Sequence, residues 1–405
     1  MSSQTVTVKR TVNAPPSEAY RAFTRAIALR EWMCDVATTD VRVGGRVYFW
    51  WNSGYYTSGE FTALEPNKAL AFTWHGRGEP GATQVQVSFT PTEGGTEVTL
   101  THSGFGAGPE WVEPRQDSEH GWGIGLENLQ SVLETGQDLR LVRRPMLGIN
   151  LDEFNAEIAA KLGVPVRDGI RLAGVLEGMG AQAAGLQKDD VLVSLGGKPA
   201  TDFPTLVNAL QDRRAGDTVE VVFYRHGEKK VVPMKLSPRP IPEVPPTPAA
   251  LAEAMRQAYA DFQTELAACL AGITEAEAAH HPAPGEWNAL ETLGHLIAVE
   301  RENQTWITDL LNDDERWSDR FENPTAVHAR VAATAAAYPT LAEIVEELRR
   351  SQAEVVVMLA ALPPEFVAHK GSFWRLGTNL LQQPLDHVRE HGAQIRAAVQ
   401  AVKGK

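Results

Sequence analysis

Hydrophobic and polar residues alternate along the first third of the chain, the pattern of half-buried β-strands. This period of two runs through residues 5–12, 41–49 and 84–89, and turns containing glycine or proline separate the segments. Over residues 117–134 the apolar positions instead follow the spacing of a helix. The pattern predicts a curved antiparallel sheet wrapped on one long helix.

The last third of the chain has helical periodicity almost throughout. Four helices are predicted, at about residues 249–270, 289–311, 340–362 and 379–399, each with apolar residues three and four positions apart. Helices of these lengths predict a four-helix bundle, whose interior can hold a metal ion between facing helices. The middle of the chain is mixed, with strand patterns on both sides of a short amphipathic helix at residues 203–213.

Two shifts in composition divide the chain. Residues 238–248 are rich in proline, which fixes φ and favours an extended, semi-rigid spacer. Near residue 143 the strand pattern gives way to the mixed segment. We therefore predict a multidomain α+β protein with domains at residues 1–143, 144–237 and 249–405 and a linker at 238–248. The linker suggests that the last domain can move relative to the rest.

Composition narrows the function classes. The 405 residues carry a formal net charge of −13 with lysine and arginine spread along the chain, so nothing indicates a nucleic-acid-binding surface. No run approaches the roughly 18 apolar residues of a membrane span, and the first residues lack the pattern of a secretion signal. Cys34 and Cys269 fall in different predicted domains, which argues against a disulfide framework. We expect a cytoplasmic protein without a membrane span.

Three histidines form the most specific chemical pattern. His387 and His391 are four residues apart, so on a helix they project from one face about one turn apart. His295 lies on another apolar-periodic stretch, where a buried histidine without a partner would cost free energy. Three neutral imidazoles suit Zn²⁺, Ni²⁺ or Fe²⁺ and leave an open coordination position, as in catalytic sites.

Two alternatives compete with this metal site. The chain has 11 histidines, and a pair four residues apart arises often by chance on a solvated helix face. Residues 387–391 also fit the H-x-x-E-H pattern of inverted zinc proteases. Those proteases take a third ligand, a glutamate, from well downstream, whereas only 14 residues follow His391. Length therefore disfavours the protease.

The first segment contains short motifs at residues 12–20, 32–33, 43–45 and 120–129. Over roughly residues 3–140 it resembles the START-like (SRPBCC) superfamily, in particular the branch similar to activators of the heat-shock chaperone ATPase. The resemblance implies a helix-grip fold and a hydrophobic pocket for an apolar small molecule. Six of the ten tryptophans lie in this segment, where they could line such a pocket or equally fill a core.

The middle segment combines a turn and a buried strand at residues 183–197 with a hairpin at 219–234. It resembles a small PDZ β-sandwich or barrel of the bacterial type, in which Leu147, Gly148 and Ile149 fall at the carboxylate-binding loop. The resemblance implies that the C-terminal peptide of a protein partner adds to the strand beginning at Ile149, with Phe203 and Val207 facing an apolar side chain of the peptide. Alternatively, the protein's own linker fills the groove, or the groove simply holds two domains together.

The last segment contains residues 285–300, which surround His295, and the downstream histidine pair. This combination resembles the DinB/YfiT-like superfamily, and the resemblance assigns a metal triad to His295, His387 and His391. It implies a thiol-dependent S-transferase with a low-molecular-weight thiol as cosubstrate. Glu390 and Glu300 are candidates for a catalytic role, although glutamates beside a buried helix face are more often solvated.

Two functions stay open on these grounds. One is a metal-dependent thiol S-transferase coupled to a peptide-binding module and an apolar-ligand pocket. The other is a non-catalytic adaptor or scaffold that binds protein C-termini and a hydrophobic small molecule. The residues do not decide whether the chain is an enzyme, and they indicate no cofactor beyond the metal ion and the thiol.

Overall fold

The computed structural model describes residues 4–210, 213–314, 324–382 and 384–403. The N-terminal unit consists of β1 (Gln4–Val12), α1 (Pro16–Thr24), α2 (Ala26–Trp32), β2 (Val36–Thr39), β3 (Arg46–Trp50), β4 (Tyr56–Glu65), β5 (Ala69–Gly76), β6 (Thr83–Thr92), β7 (Gly95–Phe105), α3 (Val112–Thr135) and α4 (Leu139–Val142). Its strands form one antiparallel sheet in the order β1-β7-β6-β5-β4-β3-β2. Alternate side chains of β7 are buried from Thr96 onward, and Leu126 and Leu129 of α3 complete the core beneath them. This arrangement confirms the helix-grip fold.

The predicted strand at residues 41–49 starts only at Arg46, because the residues before it form a turn. Gly44 has φ +77°, and a Cβ on Gly45 would lie 2.0 Å from the carbonyl oxygen of Asp40. A left-handed residue and a close backbone approach both favour glycine, so the two glycines end the alternation locally.

The middle unit has its own sheet and its own core. Its elements are β8 (Ile149–Asp152), α5 (Ala156–Leu162), β9 (Ile170–Val175), α6 (Gly180–Ala183), β10 (Val191–Leu195), β11 (Lys198–Pro199), α7 (Phe203–Leu210), β12 (Thr218–Arg225) and β13 (Glu228–Lys235). The strand order is β13-β12-β10-β9-β8, with β11 on β10. Leu172, Leu192 and Phe223 lie in a hydrophobic cluster formed within this unit. Met146 and Ser237 pair through two backbone hydrogen bonds of 2.8 and 2.9 Å, so the chain enters and leaves at one point.

The C-terminal unit is helical. It contains α8 (Pro248–Leu270), α9 (Glu275–Ala278), α10 (Ala289–Leu311), α11 (Pro324–Ala337), α12 (Leu341–Ala360), α13 (Pro364–Ala368), α14 (Lys370–Gln382) and α15 (Pro384–Lys403). Helices α8, α10, α12 and α15 pack as the predicted four-helix bundle. The predicted fourth helix at 379–399 falls on the end of α14 and on α15. Helix α11 was not predicted.

The bundle packs directly on the N-terminal unit. Ile27 of α2 is 1% exposed and belongs to the hydrophobic cluster of the bundle, beside Phe373 and Leu376 of α14. Lys370 also donates a 2.9 Å hydrogen bond to the carbonyl of Glu134. The expectation that the linker leaves the bundle free to move relative to the rest is therefore wrong for this pair of units. Throughout the described ranges, the helices lack the combination of length and apolarity needed to cross a membrane.

Candidate functional site

His295, His387 and His391 converge inside the bundle. His295 lies on α10, the other two lie one turn apart on α15, and one ring nitrogen from each lies within 4.8 Å of the others. The ring centroids are 4.6 Å apart for His387 and His391, and His295 lies 5.6 and 4.8 Å from them respectively. Local sequence explains this placement. The side chain of Asn288 caps the start of α10, which fixes where His295 falls along the helix.

The electrostatics of the three rings favour metal ligation. Burial, followed by repulsion from the other two histidines and from Arg330, lowers the pKa of His295 to about 4. Burial and then His391 lower the pKa of His387 to about 4 as well. Both rings are therefore neutral near pH 7 and keep a nitrogen lone pair. A donor set of three imidazoles fits a divalent ion such as Zn²⁺, Ni²⁺ or Fe²⁺.

Two further residues support the histidines. Nδ1 of His391 lies 2.9 Å from Oε1 of Gln394, and an amide oxygen only accepts, so Nδ1 is the donor of this contact and Nε2 is the ring nitrogen left to face an ion. The ring of Trp287 lies 5.2 Å from that of His295 at an interplanar angle of 34°. Sequence reasoning missed both roles. The sequence signal for the role of Gln394 was its position three residues after His391, because residues three apart on a helix are neighbours.

The two candidate glutamates have different surroundings. Glu390 is exposed on α15, as expected for a solvated helix face. Glu300 is only 7% exposed, and the hydroxyl of Tyr259 donates a 2.5 Å hydrogen bond to its Oε2. Burial raises the pKa of Glu300. Glu300 also lines a small cavity together with His387, so the expectation of a solvated glutamate is wrong at this position.

The five residues predicted to bind a peptide lie in the middle unit, with β8 as the last strand of its sheet. Leu147 is buried, and Gly148 has φ +80° with a Cβ that would fall 2.3 Å from Cβ of Met179. Ile149 begins β8 and pairs with β9. On α7, Phe203 is 61% exposed and Val207 is half-buried. The unit thus offers one outer strand edge and an exposed aromatic side chain.

The N-terminal unit encloses a cavity of about 610 Å³ between the sheet, the loops beside β4 and β5, and α3. Three of the six tryptophans of this segment, Trp51, Trp74 and Trp122, line the cavity. Trp32 is 1% exposed and lies in the core. Both sequence alternatives are therefore realised, since some tryptophans line a cavity and another fills the core.

Three family models match successive parts of the chain. The model of the activator of Hsp90 ATPase homolog 1-like proteins matches residues 13–134, the PDZ domain model matches 136–236, and the DinB superfamily model matches 258–395. The matches confirm the three resemblances and their order.

The curated relatives share the PDZ domain. A probable periplasmic serine protease do/HhoA-like of Haemophilus influenzae is 32% identical over 108 residues, which are 27% of this chain and 22% of that protein. The periplasmic pH-dependent serine endoprotease DegQ of Escherichia coli is 30% identical over 107 residues, which are 26% of this chain and 23% of that protein. The chain therefore spans less than a quarter of the length of these relatives.

Solved structures match the N-terminal unit. A crystal structure of a Mesorhizobium loti protein has 30% identity and a TM-score of 0.30, and the match covers 32% of this chain and 96% of that one. The solution structure of the Aha1 dimer from Colwellia psychrerythraea has 22% identity, a TM-score of 0.30 and the same coverage. The chain is thus a three-domain protein that carries, in this order, a START-like domain of the Hsp90-activator type, a PDZ domain and a DinB-superfamily domain.

Proposed function

We propose that the DinB-type bundle binds one divalent metal ion through His295, His387 and His391 and acts as a thiol S-transferase. The observation that carries the proposal is the convergence of three imidazoles from two helices at one point. When bound, an ion such as Zn²⁺, Ni²⁺ or Fe²⁺ supplies an open position at which a low-molecular-weight thiol loses its proton. DinB-like domains are metal-binding, which supports the assignment.

Three other residues of the site orient a ligand, limit the access of water or hold a proton. Gln394 accepts from Nδ1 of His391 and so keeps Nε2 available for the ion. Trp287 packs against His295 and limits access of water to that side. Glu300 is the better of the two candidate carboxylates for holding a proton, because burial raises its pKa and it lines a cavity with His387.

Thiol consumption tests this proposal. A thiol with an ordinary pKa of about 8.5 is only about 3% ionised at pH 7, so activation should accelerate its reaction with an electrophile about tenfold or more. We expect the metal-loaded protein to accelerate the reaction of glutathione, cysteine or coenzyme A with monobromobimane, and we expect chelation to remove the effect. A rate that is equal with and without protein for every thiol of the panel contradicts the proposal.

A second function rests on the outer edge of β8 and on the exposed Phe203. We propose that the PDZ domain binds the C-terminus of a protein partner by strand addition, and that the START-like cavity takes an apolar small molecule. The chain then also serves as an adaptor. We place this function in the cytoplasm because Cys34 and Cys269 are both free thiols, although the PDZ relatives named above are periplasmic. Cell fractionation tests the location, and recovery in a periplasmic fraction would overturn it.

Free and amidated peptides test whether the PDZ domain binds the terminal carboxylate. A short peptide with an apolar last residue and a free carboxylate should bind, and amidation of that carboxylate should weaken binding about 10- to 100-fold, because hydrogen bonds to the charged group are lost. Val207→Asp should weaken binding similarly, since it places a carboxylate beside the apolar side chain of the peptide. Asn208→Asp adds the same charge at the exposed neighbouring position and is the control. Equal affinity of the free and amidated peptides by fluorescence anisotropy would refute capture of the carboxylate.

A further inference from the structure

The START-like cavity has aromatic walls. The ring of Trp51 lies 5.4 Å from that of Tyr55 and 6.2 Å from that of Trp74, and the ring of Trp122 lies 5.4 Å from that of Trp74. All four side chains line the cavity. Trp74 and Trp122 are 7% and 6% exposed, so they form its inner end. Four neighbouring aromatic rings give the cavity a continuous aromatic wall.

The indole N–H groups of the three tryptophans that line the cavity all donate hydrogen bonds within the protein. Nε1 of Trp51 donates to the carbonyl of Met33 at 2.6 Å, and Nε1 of Trp74 donates to Oε1 of Glu79 at 3.1 Å. Nε1 of Trp122 donates to Nδ1 of His102 at 3.1 Å. Because these donors are used within the protein, the indoles present hydrocarbon and π surface to the cavity. Such surface suits an apolar or cationic group and does not suit an anion.

The charges that line the cavity are mainly negative. Three carboxylates, those of Glu79, Glu113 and Asp117, line it against a single guanidinium, that of Arg77. Glu79 accepts hydrogen bonds from Trp74, from the Tyr55 hydroxyl at 2.7 Å and from the backbone N–H of Gly76. Glu113 and Asp117 are exposed, so they stand at the open end of the cavity. Arg77 is held at the rim by a 3.0 Å hydrogen bond to the carbonyl of Gly54.

Helix α3 leaves space opposite the aromatic rings. Gly121 and Gly125 line the cavity on the same helix face as Asp117 and Trp122. A Cβ on Gly121 would meet nothing within 4 Å. The cavity therefore has free space beside Gly121 that an occupant can use.

We infer that this cavity binds an organic ammonium cation, such as a methylated amine with an apolar body. The inference rests on the proposed ligand-binding role of the cavity and specifies its chemistry. The cationic group lies against the faces of the tryptophans with the carboxylates of Glu79, Glu113 and Asp117 as counter-charges, and the apolar body fills the remaining volume. The carboxylates would repel an anion, and no indole N–H of the cavity is free to bind it. A neutral apolar ligand would leave the negative charge of the carboxylates uncompensated.

Three probes of nearly equal shape separate charge from size. Choline is cationic, 3,3-dimethylbutan-1-ol is its neutral isostere and 3,3-dimethylbutanoate is the anionic counterpart. Tryptophan fluorescence and calorimetric titration of the full-length chain should give about tenfold tighter binding for choline than for the alcohol, with the anion weakest. Equal or tighter binding of the alcohol overturns the inference but leaves a ligand-binding cavity. Failure of all three probes to bind contradicts both the inference and the proposed role of the cavity.

Variants then locate the cation. The double change Glu113→Gln and Asp117→Asn should reduce the affinity for choline to nearly that for the alcohol. The affinity for the alcohol itself should not change. Both residues are exposed, so we expect the variant to fold. Gly121→Met should block choline by filling the cavity. Gly123→Met is the matched control, since Gly123 lies on the same helix but does not line the cavity, and its Cβ would also meet nothing within 4 Å. Unchanged choline affinity in Gly121→Met would overturn the assignment of the site.

Discussion

Replacing His387 with alanine should lower the metal content of the purified protein from about one ion per chain to near zero. His387 is one of two ligands on α15, and its loss leaves two imidazoles from different helices, which cannot hold an ion in a defined geometry. The affinity should fall more than about 100-fold, since even the loss of a group that only supports a ligand costs 10- to 100-fold. Elemental analysis of protein purified without chelators measures the effect.

Two further variants make this result specific to the site. His280→Ala removes an exposed histidine from the same domain and should leave the metal content unchanged. Gln394→Ala removes the acceptor of the His391 Nδ1 proton and should weaken binding about 10- to 100-fold without abolishing it. If the His387→Ala protein keeps its full metal content, the triad is not the metal-binding site.

Replacing Arg21 with alanine should destabilise the contact between the START-like domain and the bundle by about 3–5 kcal/mol. The Arg21 side chain is only 11% exposed, and its Nε lies 3.1 Å from Oδ1 of Asp313. Its Nη2 donates to Ser372 at 3.2 Å, and its Nη1 lies 3.9 Å from the buried carboxylate of Glu31. Without Arg21, the carboxylates of Glu31 and Asp313 lose the buried cation that they share, and burial already raises the pKa of Glu31.

A neighbouring arginine provides the control. Arg25 also approaches Asp313, at 3.5 Å, but its side chain is 59% exposed, so Arg25→Ala should cost less than about 1 kcal/mol. Because a chain with several domains need not unfold in two states, urea unfolding should be followed both by tryptophan fluorescence, which is weighted to the START-like domain, and by far-ultraviolet circular dichroism. We expect the two transitions to separate in Arg21→Ala. Identical transitions in the two variants would show that the buried network does not couple the domains.

Periodicity and motifs predicted the order of the domains, and the three histidines that they singled out lie together in the structure. The pair on α15 and His295 on α10 each lie on long, strongly periodic helices, and such segments determine which face a side chain occupies. The chemistry of the site was also accessible, because it depends on residue type and spacing. Binding of the metal itself stays a prediction.

Features that depend on contacts between distant segments could not be predicted. Arg21 and Ile27 are ordinary residues of a short helical region, and contacts with the helical bundle bury them. The same holds for Glu300, whose burial depends on Tyr259, 41 positions earlier in the chain. The acidic side of the START-like cavity likewise arises only when Glu79 on a loop meets Glu113 and Asp117 on α3. Pairings of this kind follow from the tertiary fold rather than from local pattern.

The pairing of Met146 with Ser237 has a consequence for how such a protein can change over time. The chain leaves for the PDZ domain and returns at nearly the same place, while the domains on either side contact each other directly. Insertion of a domain is tolerated where the two ends lie close together. The PDZ domain can therefore be exchanged for another domain of similar end spacing without rebuilding the histidine triad or the interface, so that the sequences of the PDZ domain and of the other two domains are free to evolve separately.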